Sequence, residues 1–122
     1  MWISWLMVFI GGGLGSLCRY GIGLLLKNKA GTLPLGTLMA NIISCILLGF
    51  LIGWVAKNHL SSPMALLWMT GFCGGFSTFS TFSAESWQLI QQGQIELALL
   101  NIGGSVLIGL GCIFVGLKMS GL

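Results

Sequence analysis

Charge is nearly absent from this 122-residue sequence: lysine and arginine together number five, glutamate accounts for both acidic residues, and aspartate does not occur. The charged share is 6% against a hydrophobic share of 56%. That is too little polar surface to coat a soluble domain of this size. A net charge of +3 spread over so few scattered residues also excludes a nucleic-acid surface. Histidine occurs once, at His59 in a polar break, with no nucleophile partner beyond ordinary serines. Nucleotide-binding motifs are missing too, so the sequence is not read as an enzyme. Cys18, Cys45, Cys73 and Cys112 lack the paired spacing of a metal site or redox motif and read as small hydrophobes. No basic region precedes the first apolar run and no small-residue cleavage site follows it, so that run reads as a retained helix.

What the chain has in abundance is apolar length. Four stretches, residues 2–26, 33–56, 64–90 and 97–117, each supply the roughly 20 residues a helix needs to cross a bilayer, and only Arg19 and Glu85 interrupt them with charge. Closed barrels need alternating strands, whereas residues 42–55 are apolar almost throughout. The expectation is one all-α membrane domain of four transmembrane helices. With four spans, Lys57 and Lys118 fall on one side and Lys27 and Lys29 on the other, so the positive-inside rule favours neither orientation. A chain that inserts both ways up can pair with an inverted copy of itself, an antiparallel homodimer, and a fixed-orientation protein is the alternative. The spacing of Gly11/Gly15, Gly49/Gly53 and Gly71/Gly75 permits close helix approach.

The third stretch departs from the others. Gly71, Gly74 and Gly75 are followed by Ser77, Thr78, Ser80, Thr81 and Ser83, a composition that weakens helical hydrogen bonding near mid-membrane depth. A helix broken there would offer unwound carbonyls suited to a hard cation such as Na⁺. An unbroken helix, with hydroxyls bonded back to its own carbonyls and glycines used for packing, fits the same residues. Phe72, Phe76, Phe79 and Phe82 lie on one helical face, either as packing or as ring edges that, with hydroxyl donors, solvate a small anion. Thr37, Asn41 and Ser44 share a face of the second stretch, and Asn101 and Ser105 a face of the fourth. Interhelical hydrogen bonding is the ordinary use of such groups, and Asn41 reads equally as that or as a donor lining a path. Arg19 is a snorkelling anchor or a fixed vestibule charge; Glu85 has the same two readings, and the pair are candidates for each other.

Three segments together, Gly11-Gly-Gly-Leu-Gly-Ser-Leu-Cys-Arg-Tyr20, Gly36-Thr-Leu-Met-Ala-Asn41 and Gly71-Phe-Cys-Gly-Gly-Phe-Ser-Thr-Phe-Ser-Thr-Phe-Ser-Ala-Glu85, resemble the small bacterial fluoride channels called Fluc or CrcB. The resemblance covers essentially the whole chain. It implies a dual-topology homodimer in the bacterial inner membrane, with two fluoride pores built from both subunits, that passively exports fluoride and lowers its cytoplasmic level. It further implies one structural, untransported Na⁺ at the dimer centre, held by backbone carbonyls that fall on Gly74 and Ser77. The pore phenylalanines fall on Phe79 and Phe82, the donor amide on Asn41, polar-track hydroxyls on Thr37, Ser80 and Ser105, and the vestibule arginine on Arg19. Ser77 stands where the family often has Thr, and Asn101 where it has Tyr. The rival of similar length, a small proton-coupled multidrug exporter, needs a carboxylate in the first stretch, which has none.

Overall fold

A computed structural model describes residues 1–27, 31 and 33–122. Helix α1 covers Trp2–Leu25 and α2 covers Leu35–Ala56. The third region opens with α3, Ser62–Ala65, widens into a π-helical stretch over Leu66–Cys73 and closes with α4, Gly74–Phe76. Backbone angles stay right-handed helical at Ala65, Leu66, Cys73 and Gly74, so residues 62–76 form one rod. Helices α5, Phe79–Gln91, and α6, Ile95–Met119, complete the chain.

Local chemistry moves the boundaries slightly from the expected ones. Leu33 stays outside α2 because a residue before proline is pushed from the helical region, and Pro34 becomes the cap. Pro63, by contrast, sits in the first turn of α3, where its missing N–H costs nothing, and the helix starts at Ser62 instead of 64. Gly93, at φ 77°, makes the left-handed turn between α5 and α6. The last helix extends past 97–117 at both ends, taking Glu96 into its first turn and Lys118 into its last, each complementing the helix dipole. Lys29, which entered the charge balance, lies outside the described residues.

Helices α1, α2 and α6 are long and apolar enough to cross a membrane, which makes this a multi-pass membrane protein. Burial is inverted relative to a soluble domain. The buried set holds many small or polar residues, including Ala40, Ser44, Cys73, Ser86 and Asn101, beside Leu51, Phe76 and Leu89, while Trp5, Phe9, Leu107 and Phe114 face outward.

Two glycine seams hold the bundle. Helix α1 packs along the π-helical stretch and α4, and α2 packs along α6. In the first seam a Cβ on Gly11 would run into the Leu67 carbonyl, one on Gly15 into that of Phe72, and one on Gly75 into that of Gly12. In the second, Gly49 abuts the Ile113 carbonyl and Gly116 that of Ile46. The spaced glycine pairs thus serve close packing within one chain. At the end of the second seam Lys57 Nζ donates to the Ser120 carbonyl at 2.7 Å, setting the ends of α2 and α6 side by side.

Candidate functional site

Between α4 and α5, Ser77 (φ −84°, ψ 155°) and Thr78 (φ −151°, ψ 125°) are extended. The hydroxyl residues make this step. Gly74 is right-handed helical and α4 runs through Gly75, because Gly71 and Gly75 on either side of it face α1 and gain close contact by remaining in the rod. The freed polar groups find partners nearby. The Cys73 carbonyl accepts from the Ser77 N–H at 3.0 Å, from Ser77 Oγ at 2.7 Å and from Ser44 Oγ of α2 at 3.1 Å. Thr78 Oγ1 accepts from the Thr81 N–H at 3.2 Å and so caps α5, while the Thr78 N–H donates to Asn41 Oδ1 at 3.1 Å.

That last bond orients Asn41. With Oδ1 committed to Thr78, its amide nitrogen donates to no other protein atom among the described residues. Asn41 lines an open cavity of about 270 Å³ whose wall also includes Ser77, Phe79, Phe82 and Ser105. The phenylalanine stripe divides at the step. Phe72 stacks edge-on with Trp68 and with Phe76, at 5.5 and 5.4 Å between centroids, as packing within the rod. Phe79 and Phe82 lie 6.0 Å apart with their rings tilted 42°, and Phe79 is 80% exposed.

A second cavity, of about 410 Å³, collects Arg19, Thr37, Thr81 and Glu85. Arg19 and Glu85 each have a different partner. Arg19 Nε donates to the Gly75 carbonyl at 3.1 Å, and Thr37 Oγ1 donates to Glu85 Oε1 at 2.8 Å. Glu85 Oε2 is buried with no hydrogen-bond partner among the described residues.

The structure therefore brings Asn41, Ser77, Phe79, Phe82 and Ser105 to one cavity and Arg19 and Thr37 to another. Ser80 is exposed, with Oγ 3.3 Å from Thr78 Oγ1. Gly74 is also exposed, and a Cβ built on it meets nothing within 4 Å. Asn101 lies in the interior, donating from Nδ2 to Ser86 Oγ at 3.0 Å. Sequence reasoning passed over Thr78 and Ser86 as site residues. A threonine heading a helical run is an N-cap signal that points to Thr78; Ser86 carries no signal that separates it from its neighbours.

A family model described as CrcB-like protein, Camphor Resistance (CrcB), matches residues 6–117. The chain is 45% identical over 112 residues to the fluoride-specific ion channel FluC of Pectobacterium carotovorum subsp. carotovorum, covering 88% of each. It is 44% identical over 115 residues to FluC of Polynucleobacter asymbioticus, covering 90% of this chain and 92% of that one. Over 113 residues it is 44% identical to FluC of Pyrococcus abyssi, covering 91% and 90%.

Proposed function

Since the chain belongs to the CrcB-like family, we propose that it is a fluoride-selective ion channel, not an enzyme, which exports fluoride passively across the bacterial inner membrane and so lowers its cytoplasmic level. The observation that supports this most is the convergence of Asn41, Phe79, Phe82 and Ser105 on one cavity. Fluoride is compact and strongly hydrated, so a selective path must replace its water with donors yet release it readily. The Asn41 amide N–H groups, left free by the Thr78 bond, are such donors. The Ser105 hydroxyl and the electropositive edges of Phe79 and Phe82 add others. Ser80 supplies a further hydroxyl beyond the cavity, and Thr37 a second whose proton an anion would have to win from Glu85 Oε1. Arg19, beside the Thr37 cavity, acts in this reading as a fixed charge that concentrates anions at the entrance.

One chain leaves the cavity open and Phe79 uncovered, so the path is completed in this proposal by a second copy in an antiparallel, dual-topology homodimer. The Ser77–Thr78 step then lies near mid-membrane. The rod of residues 62–76 ends there with carbonyls carrying the negative end of its dipole. The Cys73 carbonyl is taken by hydroxyls and that of Gly75 by Arg19, whereas the carbonyls of Gly74 and Ser77 accept none of these bonds. Such uncommitted hard oxygens suit Na⁺, and Gly74 and Ser77 are the residues that would hold it. Its role would be structural, joining two chains at the axis.

The test is fluoride efflux from liposomes containing the purified protein, with chloride as the comparison. Fluoride-selective flux is expected. Its absence from a well-folded dimer would refute the channel reading.

A further inference from the structure

Asn101 is 6% exposed and is not part of the cavity wall, yet its amide joins Ser105, which is, to Ser86, which bonds the carbonyl of Phe82, another wall residue. The direction of the chain of hydrogen bonds follows from its far end. Ser86 Oγ donates its only proton to the Phe82 carbonyl at 2.8 Å, so towards Asn101 it can only accept, and Nδ2 must face it at 3.0 Å. Oδ1 is thereby turned toward α6, where Ser105 Oγ donates to it at 3.5 Å. That distance is the outer edge of a hydrogen bond, so the Ser105 proton is held weakly and can be surrendered.

We propose that Asn101 is a positioning residue which sets how readily Ser105 offers its proton to an anion in the Asn41–Phe82–Ser105 cavity. The inference rests on reading that cavity as an anion path. A hydroxyl has one proton. While Asn101 Oδ1 holds it, Ser105 presents only lone pairs elsewhere, and an arriving anion must win the proton by rotating the hydroxyl. Competition of this kind keeps the anion's binding weak enough for departure, the requirement any conducting site must meet. The acceptor is buried and locked in orientation by Ser86 and the Phe82 carbonyl, so the competition does not vary with solvent.

The signs of the consequences are definite. Asn101→Leu is close in shape and removes the acceptor. Ser105 then donates to the anion unopposed, and both the half-saturating fluoride concentration and the maximum efflux rate should fall by about two- to three-fold, the low end of the worth of one hydrogen bond, as its 3.5 Å length implies. Ser86→Ala is a smaller change that releases the amide to flip, and it should shift both quantities in the same direction by less. In a Ser105→Ala background neither substitution should alter the half-saturating concentration, a result that general loosening of the α5–α6 contact would not produce.

The experiment is concentration-dependent fluoride efflux from liposomes for the unaltered protein, the single variants and the two doubles, with dimer content checked by size exclusion. A shift that persists undiminished in the Ser105→Ala background overturns the inference, as does an unchanged half-saturating concentration in both single variants. If Asn101→Leu does not assemble, Ser86→Ala decides alone. Absence of flux from the unaltered protein removes the channel reading and this inference with it, whereas normal flux with unshifted variants removes this inference only.

Discussion

Asn41 is held by one bond, from the Thr78 N–H to Oδ1, and what it offers the cavity is the other half of its amide. Asn41→Asp keeps an acceptor for Thr78 but turns a carboxylate oxygen where two donors stood. Fold and assembly should persist while fluoride efflux falls at least about ten-fold, the worth of a hydrogen bond to an ion. Efflux within two-fold of the unaltered protein would exclude Asn41 as a donor. In the proposed path Phe79 and Phe82 make a different contribution, through ring edges. Replacing either by isoleucine preserves apolar bulk but removes the quadrupole, so flux should drop while the dimer survives. Both variants need assembly measured beside the flux, because Phe79 is 80% exposed on the chain and, in the proposed dimer, would pack against the second copy.

At the level of elements, the glycine seams decide which parts of the third region stay helical. Gly11 and Gly15 have no room for a methyl, since carbonyls of Leu67 and Phe72 occupy it, whereas Gly13 has open space. Gly11→Ala or Gly15→Ala should therefore destabilise the fold by about 1–3 kcal/mol through overpacking. Gly13→Ala should be neutral or slightly stabilising, because alanine is the better helix former. Thermal unfolding in detergent separates them, and equal melting of all three would mean the seam is not tight. The same seam explains what was legible in the sequence. Spans are set by bilayer thickness, so hydropathy announced the three long helices α1, α2 and α6, whereas it read the divided third region as one stretch, and the spacing of Gly11 and Gly15 announced a close approach. The exact place of the step did not follow. Composition spread the weakness over Gly71, Gly74, Gly75 and the hydroxyl residues after them; contact with α1 holds Gly71 and Gly75 in the rod, and the disruption falls on Ser77 and Thr78. Tertiary contact chose among residues that local preference left open, and the Thr78 cap is the local signal that agrees with the choice. Likewise the partners of Arg19, Glu85 and Asn101 lie 56, 48 and 15 residues away in sequence, distances at which residue type constrains the pairing very little.

For the whole molecule the decisive position is Gly74, because the single chain gives it no task. It is exposed, its backbone is right-handed helical, and nothing lies within 4 Å of a Cβ placed on it. Judged on one chain, Gly74→Ala should be harmless or mildly stabilising. In an antiparallel dimer whose axis passes the end of this rod, a methyl at residue 74 meets its own symmetry mate and pushes apart the carbonyls that would share Na⁺. The two views predict opposite results. On the dimer view Gly74→Ala retains the helical content of the parent by circular dichroism, yet it shifts toward monomer in cross-linking and loses fluoride efflux. Exchange of Na⁺ for a bulky organic cation should silence the parent in the same way, since large cations cannot enter a site made of main-chain oxygens. The two losses must occur together: a Gly74→Ala protein that remains dimeric, or a parent that conducts undiminished without Na⁺, would break the link between ion and axis. The first result would leave Gly74 as an ordinary lipid-facing residue, and the second would move the channel's central support from a bound cation to the glycine seams alone.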